Sequence, residues 1–150
     1  VDSDDKEMNA AIKKAQDTFL SHYLKMTNDE KIKKEISMAM VKVEFYIPGA
    51  TGKDDETVSE HMWVKNVTFD GKVITGTLAS QAFNKKLPKL NSIVNVKIAD
   101  ISDWLVVKND FAEGAYTAKL LRSRMSAEDK VEHDSHYPFS FEKKQDIEKK

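Results

Sequence analysis

The chain has 150 residues, of which 24 are basic and 25 acidic for a net charge of −1, with 33% charged and 40% hydrophobic. That is one domain's worth of chain, long enough to bury its own core without a disulfide or metal, and the lack of any Cys excludes disulfides, thiolate zinc sites and cysteine nucleophiles. Near-neutral charge argues against a nucleic-acid partner, which selects a basic excess or stripe, and no apolar run approaches the roughly 20 residues of a membrane span.

Asp4 followed by Glu7 has the spacing of a helix cap and its reciprocal partner. Met8, Ile12, Ala15, Phe19, Tyr23 and Met26 then recur at steps of three and four, which predicts one helix from about Asp4 to Lys25 with Lys13, Lys14 and Asp17 outside. Such a helix should lie on a sheet. Thr27-Asn28-Asp29-Glu30 repeats the cap signature, and Ile32 and Ile36 seat one more turn. The basic clusters at Lys31 to Lys34 and at Lys143-Lys144 are flanked by acids and read as solvated faces.

From Met38 to Ile47 the period becomes two, with Ala39, Val41, Val43, Phe45 and Ile47 on the core side of a strand. Pro48 to Asp55 is turn chemistry. Asp70-Gly71 between two β-prone runs matches a two-residue type I′ hairpin. It would pair Phe69 with Lys72, Val67 with Ile74, Lys65 with Gly76 and Trp63 with Leu78, stacking Trp63, Leu78, Val67 and Ile74 on one face.

Gln81 to Asn91 reads as a connecting loop that Phe83, Leu87 and Leu90 can pin to the body. Val94, Val96 and Ile98 alternate as a strand. Asp103 to Val107, a turn at Lys108-Asn109-Asp110 and a return from Phe111 make a second hairpin. After Gly114, a helical stripe of Ala118, Leu120, Leu121 and Met125 leaves Lys119, Arg122 and Arg124 outside, the arginines placed to pair with Glu128 and Asp129. Ser126 and Asp129 cap a short helix to about His133, and residues from about 142 to 150 form a frayed tail.

The expected fold is therefore α+β in a single domain spanning 1–150, with a long N-terminal helix packed on a curved antiparallel sheet of about five or six short strands, then short C-terminal helices. Strands this short, broken by turns, can also curl into a partial barrel.

Met8-Asn9-Ala10-Ala11-Ile12, Val41-Lys42-Val43, Glu60-His61-Met62-Trp63-Val64, Phe69-Asp70-Gly71 with Gly76-Thr77-Leu78, Ile101-Ser102-Asp103-Trp104, Tyr116-Thr117 and Leu121-Arg122-Ser123-Arg124-Met125-Ser126 together resemble the YegJ-like bacterial family, domain of unknown function 2314. The resemblance covers nearly the whole chain, including Pro138-Phe139, and departs at Ala115, where a second glycine beside Gly114 is expected, and in the Lys-rich insertion near residues 29 to 35. It implies no activity, cofactor or catalytic residue. Exported members of the family, together with a chain that starts at Val1, point to a periplasmic or secreted protein whose signal has been removed, with a cytoplasmic protein as the alternative.

Candidate chemistry is sparse. His61 with Asp103 could form a histidine–carboxylate pair for a metal-independent hydrolase, yet no nucleophile motif accompanies it. A histidine holding the sheet edge, and an Asp103 bonding local amides, are the favoured alternatives. Trp63, Trp104 and Tyr116, with Phe111, could wall a ligand groove, although such residues more often build a core, and Tyr116 could simply bond a backbone carbonyl. His133-Asp134-Ser135-His136 could offer two imidazoles and a carboxylate to a metal, but its spacing is loose for a helix face and no further ligand is close by in sequence. The chain thus reads as a non-catalytic binding or interaction module for an unknown protein or small-molecule ligand, without cofactor or metal. A hydrolase and an inhibitor or immunity-type protein are the alternatives.

Overall fold

In the computed structural model, residues 5–143 are described. Asp4, the expected first cap, and most of the expected tail lie outside them. Asp5 caps the first helix instead, its Oδ1 accepting the Met8 amide N–H at 3.0 Å. Helix α1 (Lys6–Thr18) gives way to a wider π turn over Phe19–Leu24, and α2 (Lys25–Asn28) follows. A single helix to Lys25 was expected. The break falls where the Thr18 hydroxyl donates to the Lys14 carbonyl at 2.6 Å, a side-chain bond that competes with the helical ladder. The inward stripe survives it, since Met8, Ala15, Phe19 and Tyr23 are all buried and the last two rings stack at 5.3 Å. Within the expected cap signature Thr27-Asn28-Asp29-Glu30, it is Asp29 that caps α3 (Glu30–Lys33), accepting from Lys31 and Ile32, while the Thr27 hydroxyl donates to the Leu24 carbonyl at 3.4 Å.

Six strands follow: β1 (Ile36–Tyr46), β2 (Ser59–Phe69), β3 (Ile74–Leu78), β4 (Ile93–Val96), β5 (Ile101–Lys108) and β6 (Phe111–Gly114). Helices α4 (Tyr116–Ser123) and α5 (Ala127–Asp134) complete the α+β fold. The strands form one antiparallel sheet in the order β4-β3-β2-β1-β5-β6, open at β4 and β6 rather than curled into a partial barrel. The described residues divide into two compact units, one containing the segments up to Ala39 and from Asp103 onward, the other Met40–Ser102. Strands β1 and β5 each run through both.

In the Met40–Ser102 unit, Val41 and Val43 on β1 and Met62, Val64, Ile74 and Leu78 on β2 and β3 form the core, as period two requires. Ile98, expected at the end of β4, belongs to a 3-10 turn, Ile98–Asp100.

The β2–β3 hairpin exists, with a register different from the expected one. Asp70 Oδ1 accepts the N–H groups of Lys72 (2.8 Å) and Val73 (2.7 Å), lengthening the turn so that Phe69 pairs with Ile74. Of the two turn residues only Gly71, at φ +103°, has positive φ. A bulge between Lys65 and Thr68, with Asn66 at φ +54°, shifts the pairing again, so Val64 rather than Trp63 lies opposite Leu78. A one-residue slip exchanges the faces of a strand. Trp63 therefore leaves the Leu78 face and lies beside Lys42, whose ammonium sits 5.6 Å from the ring centroid.

In the other unit β5 and β6 form the expected hairpin, with Asn109 (φ +52°) and Asp110 (φ +60°) between the Lys108–Phe111 pair. Both central residues are left-handed, as a type I′ turn demands. Trp104 is 1% exposed; its Nε1 donates to Thr18 Oγ1 at 3.0 Å, and Tyr23 and Tyr116 meet its ring edge-on at 5.8 and 5.5 Å. The indole is the pin between the first helix and β5.

Arg122 and Arg124 pair within the chain, with partners other than the expected ones. Arg122 holds Asp134 (2.7 Å) and Glu142 (3.3 Å), and Arg124 holds Asp5 (2.7 Å) and Glu7 (3.2 Å). Residues 128 and 129 sit in the first turn of α5, where Asp129 serves the helix start through its N–H to Ser126.

Candidate functional site

Asp103 sits on β5 with no exposed surface, and both carboxylate oxygens are committed. Oδ1 accepts the N–H groups of Trp104 and Tyr116 (both 2.9 Å), while Oδ2 accepts the N–H (3.0 Å) and hydroxyl (2.5 Å) of Thr117. The reason lies at Ala115, the cap position of α4. It is left-handed (φ +51°) and has no side chain able to bond the first amides of the helix. A carboxylate 13 residues upstream takes over the task. Burial pushes the Asp103 carboxyl above its ordinary range despite those donors. The expected bond to a local amide is present at Trp104, and a long-range cap of α4 is added to it.

His61 keeps other company. Its Nδ1 is 2.9 Å from Ser102 Oγ, and its Nε2 faces Glu44 Oε2 at 3.7 Å. Antiparallel pairing places His61 opposite Glu44 across β1 and β2, and Glu44 is itself held by the hydroxyls of Tyr46 (3.0 Å) and Ser59 (2.7 Å). Desolvation lowers the His61 pKa below its usual value, the nearby Glu44 opposing and Lys42 assisting. Neutral imidazole is thereby favoured. Ser102 is 4% exposed, and its Oγ also lies 3.4 Å from the Lys42 carbonyl. A neutral imidazole between a hydroxyl and a carboxylate can move a proton, while a serine so enclosed offers little access to a substrate.

Trp104 lies in the core. Tyr116 has its hydroxyl 3.3 Å from Thr18 Oγ1, a side-chain partner in place of the expected carbonyl, and Lys14 stands 5.1 Å from its ring centroid. A shallow groove beside it is lined by Ala10, Ala11, Lys14 and Leu120. His133 bonds Asp134 (2.9 Å) and His136 faces Glu132 (3.3 Å). Among the described residues, no group of three or more acidic or histidine side chains is placed to hold a metal ion, and no helix is long and apolar enough to cross a membrane.

The loop from Gln81 to Asn91 carries a feature that its sequence did not disclose. Glu60, on β2, accepts the N–H groups of Phe83 and Asn84 on its two oxygens, each at 2.8 Å. Asn84 Oδ1 in turn accepts the Lys86 N–H at 2.9 Å, and Leu87 is buried. Leu87 is the anchor that was expected. Phe83, expected to help pin the loop, is 97% exposed, at the rim of a groove formed with Ile47, Thr57 and Glu60. The available signal was compositional: from Gly71 to Ala99 there are five lysines and no acid, so Lys85-Lys86 is a basic cluster beside those at Lys31 and Lys143.

Comparison with known proteins locates the chain among its relatives. It is 31% identical over 142 residues to a protein of Neisseria meningitidis serogroup B provisionally named an ankyrin repeat protein; the match covers 94% of this chain and 54% of the relative, so the chain spans about half of that protein's length. No solved structure matches. The model of a family described as an uncharacterised protein conserved in bacteria fits residues 5–141, and the chain accordingly belongs to that family, DUF2314.

Proposed function

We propose that the chain is a non-catalytic binding module of the cell envelope or secreted space and that it makes its contact through the loop from Gln81 to Asn91. The observation that carries this reading is Phe83. An aromatic ring normally gains about 1.5–3 kcal/mol by burial, yet Phe83 is almost wholly in solvent on a backbone that two amide bonds to Glu60 tie down. An exposed aromatic on an ordered backbone suits an interface anchor, because part of the ordering cost is met before binding. The longer relative named for ankyrin repeats favours the same reading, since such repeats act as extended binding surfaces. The envelope setting is the expectation from exported members of the family. The test places a photoactivatable phenylalanine analogue at position 83 in cells of the native organism. A discrete adduct, with binding lost in Phe83→Ser at unchanged melting temperature, supports the module; no adduct from position 83 refutes it.

A second reading, a metal-independent hydrolase, is favoured by the Glu44–His61–Ser102 arrangement. Ser102 Oγ would attack an ester's acyl carbon as His61 takes its proton and passes it to the departing alcohol, and water would then release the acid from Ser102, with Glu44 rather than Asp103 as the carboxylate. Labelling of Ser102 by a fluorophosphonate, and ester turnover abolished in His61→Ala, would favour it; an unlabelled Ser102 removes it.

A further inference from the structure

The stretch from Gly71 to Ala99 contains Lys72, Lys85, Lys86, Lys89 and Lys97 and not one Asp or Glu, in a chain whose net charge is −1. All five lysines are exposed. The same stretch carries exposed apolar side chains: Phe83 at 97%, Ile93 at 67% and Leu90 at 42%. Single exposed apolar residues are ordinary on a protein surface. Phe83 and Leu90 interleaved with Lys85, Lys86 and Lys89 on a loop whose backbone is tied down, with Ile93 following on β4, are less so; of these lysines Lys86 reaches the Pro48 carbonyl at 3.4 Å and lies near Glu56. The loop is held by Glu60 at Phe83 and Asn84, by Asn84 at Lys86 and by buried Leu87, with the Lys89 carbonyl accepting the Ser92 N–H at 3.0 Å. Glu60 has both oxygens bonded to the Phe83 and Asn84 amides, which fixes the backbone from which the Phe83 ring projects.

Two anionic partners suit lysines, and the apolar residues choose between them. A nucleic acid would call for aromatic platforms on which successive bases stack, whereas this segment offers a single ring with Leu and Ile. A bilayer surface takes aliphatic and aromatic side chains into its interface while lysines remain among the headgroups. We propose that the Gln81-to-Asn91 loop docks on an anionic phospholipid surface, with Phe83 entering the interface and Lys85, Lys86 and Lys89 contacting the headgroups. This deepens the binding-module reading and rests on the same loop.

The experiment is flotation of the full chain with vesicles of phosphatidylcholine alone and of phosphatidylcholine mixed with phosphatidylglycerol. Binding is expected only to the anionic vesicles and should weaken as salt is added. Phe83→Ser should lower the affinity about tenfold or more, the loss of one buried ring, and the Lys85→Glu, Lys86→Glu double variant should abolish binding. Lys31→Glu, outside the segment, should leave it unchanged, and equal melting temperatures verify that each variant is folded. Absence of flotation, flotation indifferent to the loop variants, or retention of single-stranded DNA in place of vesicles overturns the proposal. If vesicles fail while the position-83 cross-link to a protein persists, the lipid surface falls and the binding module stands.

Discussion

Asp103 shows how much a single side chain can hold. Four donors converge on it, two of them from Thr117, so Asp103→Asn turns an acceptor into an NH2 group facing a hydroxyl and an amide. We expect a loss of about 2–4 kcal/mol in urea unfolding, the cost of burying unpaired donors. The pH dependence has a defined sign. Burial raises the folded-state pKa above the ordinary value of 3.8, so the native state holds this proton more tightly than the unfolded chain does. The group therefore favours folding at pH below its unfolded pKa, and that contribution is lost as pH rises through the folded value. Asp103→Asn should remove this component of the stability curve. Gly114 is a second fixed point. At φ +73°, a Cβ there would stand 2.4 Å from the Trp104 ring, and Gly114→Ala should cost about 3 kcal/mol or more from strain and overpacking, read as a lowered melting temperature.

Among the elements, the first helix is legible in period but not in continuity. Its inward residues Met8, Ala15, Phe19 and Tyr23 are evident at steps of three and four, while the π turn depends on Thr18, whose oxygen serves Lys14 and Trp104 at once. Thr18→Val should cost about 1–2 kcal/mol by leaving the indole N–H without its acceptor. The α4–α5 corner offers a pH test of opposite sign. The Arg122 guanidinium holds the Asp134 carboxyl down from 3.8 to about 2, a stabilisation present above the unfolded pKa and lost as pH falls through the folded one. Asp134→Asn should flatten the acid limb of stability between those values. The effect will be small because Asp134 is partly solvated.

For the whole molecule, strands β1 and β5 pass through both compact units, so neither unit can be excised without cutting a strand. We propose that the chain unfolds as one domain. Trp104 lies in one unit and Trp63 in the other, so in Trp63→Phe the remaining fluorescence reports a single unit. Its urea midpoint should coincide with that of far-ultraviolet circular dichroism, and separated midpoints would show two domains.

By itself the sequence determined the α+β class, most element positions, the β1 core face, the Ser126 cap and the Asn109-Asp110 hairpin, because each follows from periodicity or turn chemistry acting over a few residues. It also singled out Asp103, His61 and Trp104, but paired the first two with each other, whereas the fold gives each different partners. The tertiary structure decided the rest. A bulge at Asn66 flipped Trp63 from the Leu78 face, because register depends on an extra residue that carries no local signature. Asp103 became the cap of a helix 13 residues downstream, His61 met Glu44 and Ser102 across neighbouring strands, and Glu60 tied down the backbone at Phe83 and Asn84. Each of these depends on which distant backbone groups are brought within hydrogen-bond reach, and that is a property of the folded chain alone.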